Sequence, residues 1–269
     1  MKIFKWFSVS IFVLLMSFAC SKKVELNLPV YKPKMVIEFY LENNKTLNCV
    51  LQESVNFTDT SFTTLISNAV VILRHNGIND TLKNQLQFDF KNVKIYNYHN
   101  PKVLKLRSGI KYELYVKDAT GLEMTGVTEL MPIVPIDTQI FRFDAKNMAS
   151  AGIVFRDNGS TKDYYRIASF KDSVVINTEL FRDIRYTDIL FNGQKFRHSS
   201  RYIYQAGDTI ISRLYHLTDD HNNYLQSVFS AISSNGNPFG QPANIQSNVT
   251  GGIGIFTTIV YDEKRGIAK

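Results

Sequence analysis

Gly109-Ile-Lys-Tyr-Glu-Leu-Tyr-Val116 leaves a Ser108-Gly109 turn and then alternates, with Ile110, Tyr112, Leu114 and Val116 on one side. Strict alternation of this kind predicts a strand with one face in a core and the other toward water. The same pattern recurs outward along the chain. Met35-Val-Ile-Glu-Phe-Tyr-Leu41, Leu47 to Val55, Ala69 to Arg74, Tyr112 to Lys117 and Met124 to Leu130 all read as strands. Turn residues punctuate them at Asn43-Asn44, Asn76-Gly77, Asn79-Asp80, Ser108-Gly109 and Ala119-Thr-Gly121. Strands at this spacing predict a small β-sandwich over residues 33–132, of immunoglobulin-like or prealbumin-like type.

Met131-Pro-Ile-Val-Pro-Ile136 marks the expected boundary, because its two prolines prevent helix and interrupt a central strand. Residues 133–269 then form a second β-rich domain. Its expected strands are Gln139 to Phe143, Ala151 to Arg156, Tyr164 to Phe170, Ser173 to Asn177, Ile189 to Phe191 and Thr209 to Leu217. Asn192-Gly193 is a hairpin signal, and Gly207-Asp208 turns the chain into the strand from Thr209. One short helix is expected. Asp219 or Asp220 would cap it, Asn235-Gly236 would end it, and Tyr224, Leu225, Val228, Phe229 and Ile232 would form its apolar face. The fold class is therefore all-β, mainly β with that single helix.

From His221 through Tyr261 the chain carries no Asp, Glu, Lys or Arg, although such residues make up 20% of the whole. The gap is too apolar for a solvated linker and too rich in Gly, Pro and Asn for regular structure. A long loop packed on the body, followed by a core strand from Ile253 to Tyr261, accounts for it without a partner, and is favoured. The competing reading is a docking surface, with Pro238, Phe239, Pro242, Asn244, Asn248, Gly251 and Gly252 as the candidate contacts.

The N-terminus reads as a lipoprotein signal over residues 1–19. Lys2 and Lys5 precede an apolar run over residues 6–16, and the small Ser17 and Ala19 lead to Cys20. Such a run is shorter than the ~20 residues that a membrane span needs. Cys20 would be acylated and would begin the mature chain, with residues 20–32 as a tether. Ordinary cleavage beside an incidental cysteine is the alternative. Each buried CH₂ contributes about 0.8 kcal/mol, so several acyl chains on one cysteine hold a protein firmly to a bilayer. Ser21-Lys22-Lys23 follows the cysteine where surface-exported lipoproteins tend to carry acids. The periplasmic face of the outer membrane is thus slightly favoured over the cell surface.

A hydrophobic content of 44% is ordinary for a folded protein. The net charge of +7, or +5 without Lys2 and Lys5, is spread thinly and forms no nucleic-acid footprint. With Cys20 lipidated, Cys49 has no disulfide partner and reads as a small buried residue. The one tryptophan, Trp6, lies inside the signal, which lowers the case for a glycan-binding aromatic platform.

His216, Asp219, Asp220 and His221 are the one set with any likeness to a metal site, but their spacing matches no recurrent zinc pattern. No Gly-x-Ser-x-Gly elbow occurs, Cys49 has no nearby histidine, and Gly251-Gly-Ile-Gly254 lacks the Lys-Ser/Thr of a phosphate loop. No catalytic residue, metal or cofactor is assigned.

Several pieces in order carry a resemblance over nearly the whole mature chain. They are Pro33-Lys-Met-Val-Ile-Glu38, Ala69-Val-Val-Ile72, Pro135-Ile-Asp-Thr138, Asp163-Tyr-Tyr-Arg166, Phe191-Asn-Gly193, Gly207-Asp208, Asn237 to Ile245, Ser247-Asn248 and Gly251-Gly-Ile-Gly254. The chain resembles the Bacteroidota lipoproteins of domain-of-unknown-function family 4249. The resemblance implies an outer-membrane lipoprotein, commonly found alongside TonB-dependent receptors, and brings no established catalytic residue. The expectation is a non-catalytic accessory that docks on a TonB-dependent β-barrel transporter or another outer-membrane assembly. The alternative is a ligand-binding or adhesive lipoprotein at the surface.

Overall fold

The computed structural model describes residues 32–55, 64–90, 93–172, 184–234 and 244–269. The first sheet begins with β1 (Met35–Glu42), β2 (Lys45–Glu53), β3 (Val70–His75), β4 (Ile78–Asp89), β5 (Lys94–Leu104), β6 (Lys111–Lys117) and β7 (Glu123–Glu129). There follow β8 (Ile136–Phe143), β9 (Met148–Arg156), β10 (Tyr164–Lys171), β11 (Ile184–Thr187), β12 (Lys195–Ser199), β13 (Tyr204–Gln205) and β14 (Thr209–Leu217). Helix α1 (Asp219–Ser234), β15 (Val249–Thr250), β16 (Ile253–Ile259) and β17 (Tyr261–Ile267) complete the described chain. The described residues are mainly β, in three sheets, with one α-helix.

Alternation fixes which face each strand buries. In β1, Met35, Ile37, Phe39 and Leu41 point inward, and Leu47, Cys49 and Leu51 of β2 meet them. The sheet runs β15-β7-β6-β3-β4-β5-β2-β1-β16. Its two end strands belong to one run of chain, separated by Gly251 and Gly252, so the sheet nearly closes on itself as a barrel. Buried Asn97 replaces missing ladder bonds inside it. Its side chain accepts from Leu51 N and donates to Leu51 O and Ile66 O, each at 2.8 Å.

The other two sheets, β11-β10-β14-β17 and β12-β9-β13 with β8 on β9, share a core of Ile136, Ile153, Phe155, Tyr165, Ile167 and Leu214. Sheet membership changes at the Met131–Ile136 segment, but the C-terminal part does not stay on its own side. β15 and β16 return to the first sheet, and residues 33–269 form one compact unit. The strand expected from Ile253 to Tyr261 is divided at Val260. β16 runs parallel to β1, and β17 crosses to pair antiparallel with β14.

Several expectations are corrected. Asn79-Asp80 is no turn but lies within β4, and the β4–β5 hairpin was not anticipated. Ile189 to Phe191 is no strand. Asp188–Leu190 forms a 3₁₀ turn with Ile189 and Leu190 exposed and Phe191 buried after it. Thr218, not Asp219 or Asp220, caps α1, its hydroxyl accepting from His221 N at 3.1 Å. The buried stripe of α1 is His221, Tyr224 and Ser227, whereas Phe229 and Ile232 are exposed. Ser173–Asn177 and Asn235-Gly236 lie outside the described residues.

Gly254 admits β16 beside β1. Its φ is +129°, and an added Cβ would lie 1.9 Å from the Ile37 carbonyl oxygen. The Gly254→Ala variant is expected to lose about 3 kcal/mol or more, since strain and overpacking act together. Gly77→Ala, at φ +73° with open space around it, is expected to lose only about 1 kcal/mol. Urea unfolding of both variants checks the difference.

Candidate functional site

Asp157 follows β9, Asp163 precedes β10, and Asp188 opens the 3₁₀ turn. All three are buried, and one carboxylate oxygen from each lies within 4.8 Å of the others. The fold brings together acids up to 31 positions apart because the loop after β9 packs on the turn after β11. At the contact, Gly193 Cα sits 3.0 Å from where a Cβ on Gly159 would be.

Each carboxylate is engaged within the cluster. Asp157 accepts from the Tyr165 hydroxyl at 2.6 Å and from Gly193 N at 2.7 Å. Asp163 accepts from the Thr161 hydroxyl at 2.8 Å and faces His216 Nε2 at 3.1 Å. Asp188 accepts from Asp163 N at 3.0 Å, while its own N donates to the Asp163 carbonyl at 3.1 Å. The other His216 nitrogen, Nδ1, meets the Pro132 carbonyl at 2.8 Å. A carbonyl only accepts, so Nδ1 carries the hydrogen of that bond. Tyr165 stacks on His216 with ring centroids 5.4 Å apart. Burial, then the bond to Asp157, pushes the Tyr165 phenol well above its ordinary range.

Three oxygens so placed are hard donors of the type that binds calcium or magnesium. A cation there would compete with the hydrogen bonds just described, and these already meet the demands of the buried acids. The cluster thus acts as a fastener, joining the loop after β9, the turn after β11, β14 and the proline segment. Next to it lies an open groove of about 820 Å³, lined by Pro132, Ile133, Val134, Pro135, Arg156 and the Lys195–Asp137 ion pair together with Asp157 and His216 of the cluster.

The residues singled out in the sequence go elsewhere. Cys20, Pro238, Phe239 and Pro242 lie outside the described residues. Asn244 is exposed. Asn248 is turned inward, donating to Phe256 O at 2.7 Å and accepting from Phe256 N at 2.9 Å. An added Cβ on Gly251 would lie 2.0 Å from the Glu123 carbonyl oxygen, and one on Gly252 would lie 2.1 Å from the Met124 methyl. His216 and His221 do not cluster. His216 joins the acids, His221 packs on Tyr40 at 5.8 Å, Asp219 accepts from the Tyr164 hydroxyl, and Asp220 is exposed. Cys49 is fully buried, which pushes its thiol far above the ordinary range. The acidic cluster had only an indirect sequence signal, since Asp163-Tyr-Tyr-Arg166 and Phe191-Asn-Gly193 supply Asp163, Tyr165 and Gly193.

Asp163→Asn is expected to cost roughly 2–3 kcal/mol in urea unfolding, because it alters a buried charged hydrogen bond. His221 makes stability pH-dependent. Burial first, then Arg166 and Arg185, push its ring from 6.5 down to about 3, and its Nδ1 has no hydrogen-bond partner. The unfolded ring takes its proton at the higher pH, so this contribution is complete above about pH 6.5 and is lost as pH falls toward 3. At pH 5 the loss is about 2 kcal/mol. Unfolding of wild type and His221→Phe at pH 7.5 and pH 5 is expected to show a shallower acid loss in the variant.

No curated protein matches the chain. Similar solved structures include a cytokine receptor complex, with 7% identity, 67% of this chain and 82% of that chain covered, and a TM-score of 0.24. A second crystal form of a cytokine receptor complex aligns at 7% identity, covering 67% and 89%, with a TM-score of 0.25. The FN1–FN3 domains of chicken CNTN1 align at 8% identity, covering 69% and 62%, with a TM-score of 0.26. Likenesses this low carry no argument about function. The ordered pieces that build the acidic fastener and the β16 insertion are spread across a match at residues 21–265, and on that match the chain belongs to the family described as Domain of unknown function (DUF4249).

Proposed function

We propose that this protein is a lipid-anchored accessory of the cell envelope, held at the outer membrane by acylated Cys20 and docking on a membrane assembly. A TonB-dependent β-barrel transporter is the partner that the sequence resemblance suggests. The observation that carries the docking role is on α1. Phe229 and Ile232 are each 52% exposed on a helix whose polar face has no Lys or Arg. Gln246 N donates to Ser227 Oγ at 2.9 Å, tying the uncharged segment that holds Asn244 to the same helix. Two large apolar side chains exposed on a helix without Lys or Arg suit a protein partner.

The groove beside Pro132–Pro135 favours a second reading, a ligand-binding lipoprotein. Its apolar wall of Pro132–Pro135, beside Arg156 and the Lys195–Asp137 ion pair, suits a largely apolar ligand with a polar end. Protease treatment of intact and permeabilised cells tells a periplasmic body from a surface one.

Affinity purification from gently solubilised membranes is expected to recover one β-barrel protein in stoichiometric amount. Phe229→Asp with Ile232→Asp is expected to reduce that recovery at least about tenfold, in keeping with the loss of two apolar anchors. Isolation of the wild type as a lone species would overturn the docking reading.

A further inference from the structure

The β4–β5 hairpin ends in apolar side chains that are exposed among the described residues. Leu86, Phe88, Phe90, Val93 and Ile95 are exposed, Phe90 by 83%, and the rings of Phe88 and Phe90 stack at 6.2 Å. Phe88 lies directly opposite Ile95 in the ladder, so the two side chains share a face. Buried residues occupy the hairpin's other half, at Asp80, Leu82, Tyr98 and Leu104. Exposure is therefore concentrated at the tip.

The register shows which end of the body this tip occupies. Met35 pairs with Glu53, and Cys49 pairs with Tyr98. Carried on past Tyr98, the β2–β5 register sets Lys94 level with Glu53 and hence with Met35. Lys94 also forms an ion pair with Glu38 of β1. The apolar tip and the start of β1 thus lie at one end of the sheet, and Ile78 lies at the other. The chain enters the body at that same end. Twelve residues, 21–32, separate Cys20 from Pro33, a reach of at most about 45 Å fully extended.

We propose that the tip of the β4–β5 hairpin, through Phe88, Phe90, Val93 and Ile95, dips into the lipid surface to which Cys20 is anchored. This rests on the lipid-anchor reading above. A tether of this length holds the tip at high effective concentration beside a bilayer, and aromatic side chains on a strand tip partition into its interface. Hairpin and acyl group together make two attachments, fixing the orientation of the body as well as its distance from the membrane.

The chain's one tryptophan is Trp6, inside the signal, so the mature protein is dark for tryptophan fluorescence. Phe90→Trp and Ile78→Trp place single indole reporters at the tip and at the opposite end of β4. The purified full mature chain of each variant is added to vesicles of phosphatidylethanolamine and phosphatidylglycerol with brominated acyl chains. Mass spectrometry of the same preparation reads the acylation of Cys20. Emission from the tip reporter, at position 90, is expected to fall at least about twofold, while emission from the reporter at position 78 is unchanged, as for a ring within the interface. Adding Phe88→Asp is expected to abolish most of the quenching at position 90. Equal emission from the two reporters in an acylated preparation would overturn the tip proposal and leave the anchor reading intact. Quenching at position 90 without acylation would support the tip and overturn the anchor. A blue shift of the tip reporter on adding membrane extract, without quenching by brominated lipid, would mean that a protein covers the tip and would also overturn the proposal.

Discussion

The parallel pairing of β1 with β16 is the constraint on which the rest of the structure depends. Seven residue pairs, from Val36 with Ile253 to Glu42 with Ile259, join strands more than 200 positions apart. A parallel pair needs a crossover, and here everything between β1 and β16 is the crossover. The Gly251–Gly254 stretch makes the entry possible, because a Cβ at Gly251 or Gly254 would strike a backbone carbonyl of β7 or β1. Asn248 and Ser247 then hold the entering chain, Asn248 through both backbone groups of Phe256 and Ser247 through Gly254 N.

One residue after β16, the chain changes sheets. Val260 separates a strand in the first sheet from a strand in the second, so both sheets share a continuous rod of backbone. The proline segment runs alongside and is pinned to that rod. Thr258 donates to the Glu129 carbonyl at 2.8 Å, and Asp262 accepts from Ile136 N at 2.7 Å. His216 adds a third attachment at Pro132 and passes it to the acidic fastener. A segment that reads as a linker is held at both ends and in the middle.

This architecture separates the surfaces that carry the proposals. The hairpin tip lies at the end of the first sheet where β1 begins. The exposed Phe229 and Ile232 lie on the helix that precedes β15 and β16, and the groove lies beside the fastener of the other two sheets. As parts of one compact unit, these surfaces would let membrane contact at one end set the direction in which a docking surface faces.

The sequence by itself determined the strand class and many of its elements. β1, β2, β6, β7, β10 and β14 each bury one face or sit in a core, and period-two alternation or an apolar run marks them locally. It also determined the turns at Asn44, Gly77, Gly109 and Gly193, where positive φ selects Asn or Gly. Only the tertiary structure decided the rest. The β4–β5 hairpin escapes the pattern because its outer half has no core to face, so Leu86, Phe88 and Ile95 follow no burial alternation. Ile189-Leu190-Phe191 looks like a strand, but buried Asp188 draws it into a turn. Asp157, Asp163 and Asp188 share no local spacing, and their meeting depends on two loops closing over one core. The glycines from 251 to 254 were visible as glycines. That their missing side chains admit a strand follows from the carbonyls of Glu123 and Ile37, which the sequence alone places far away.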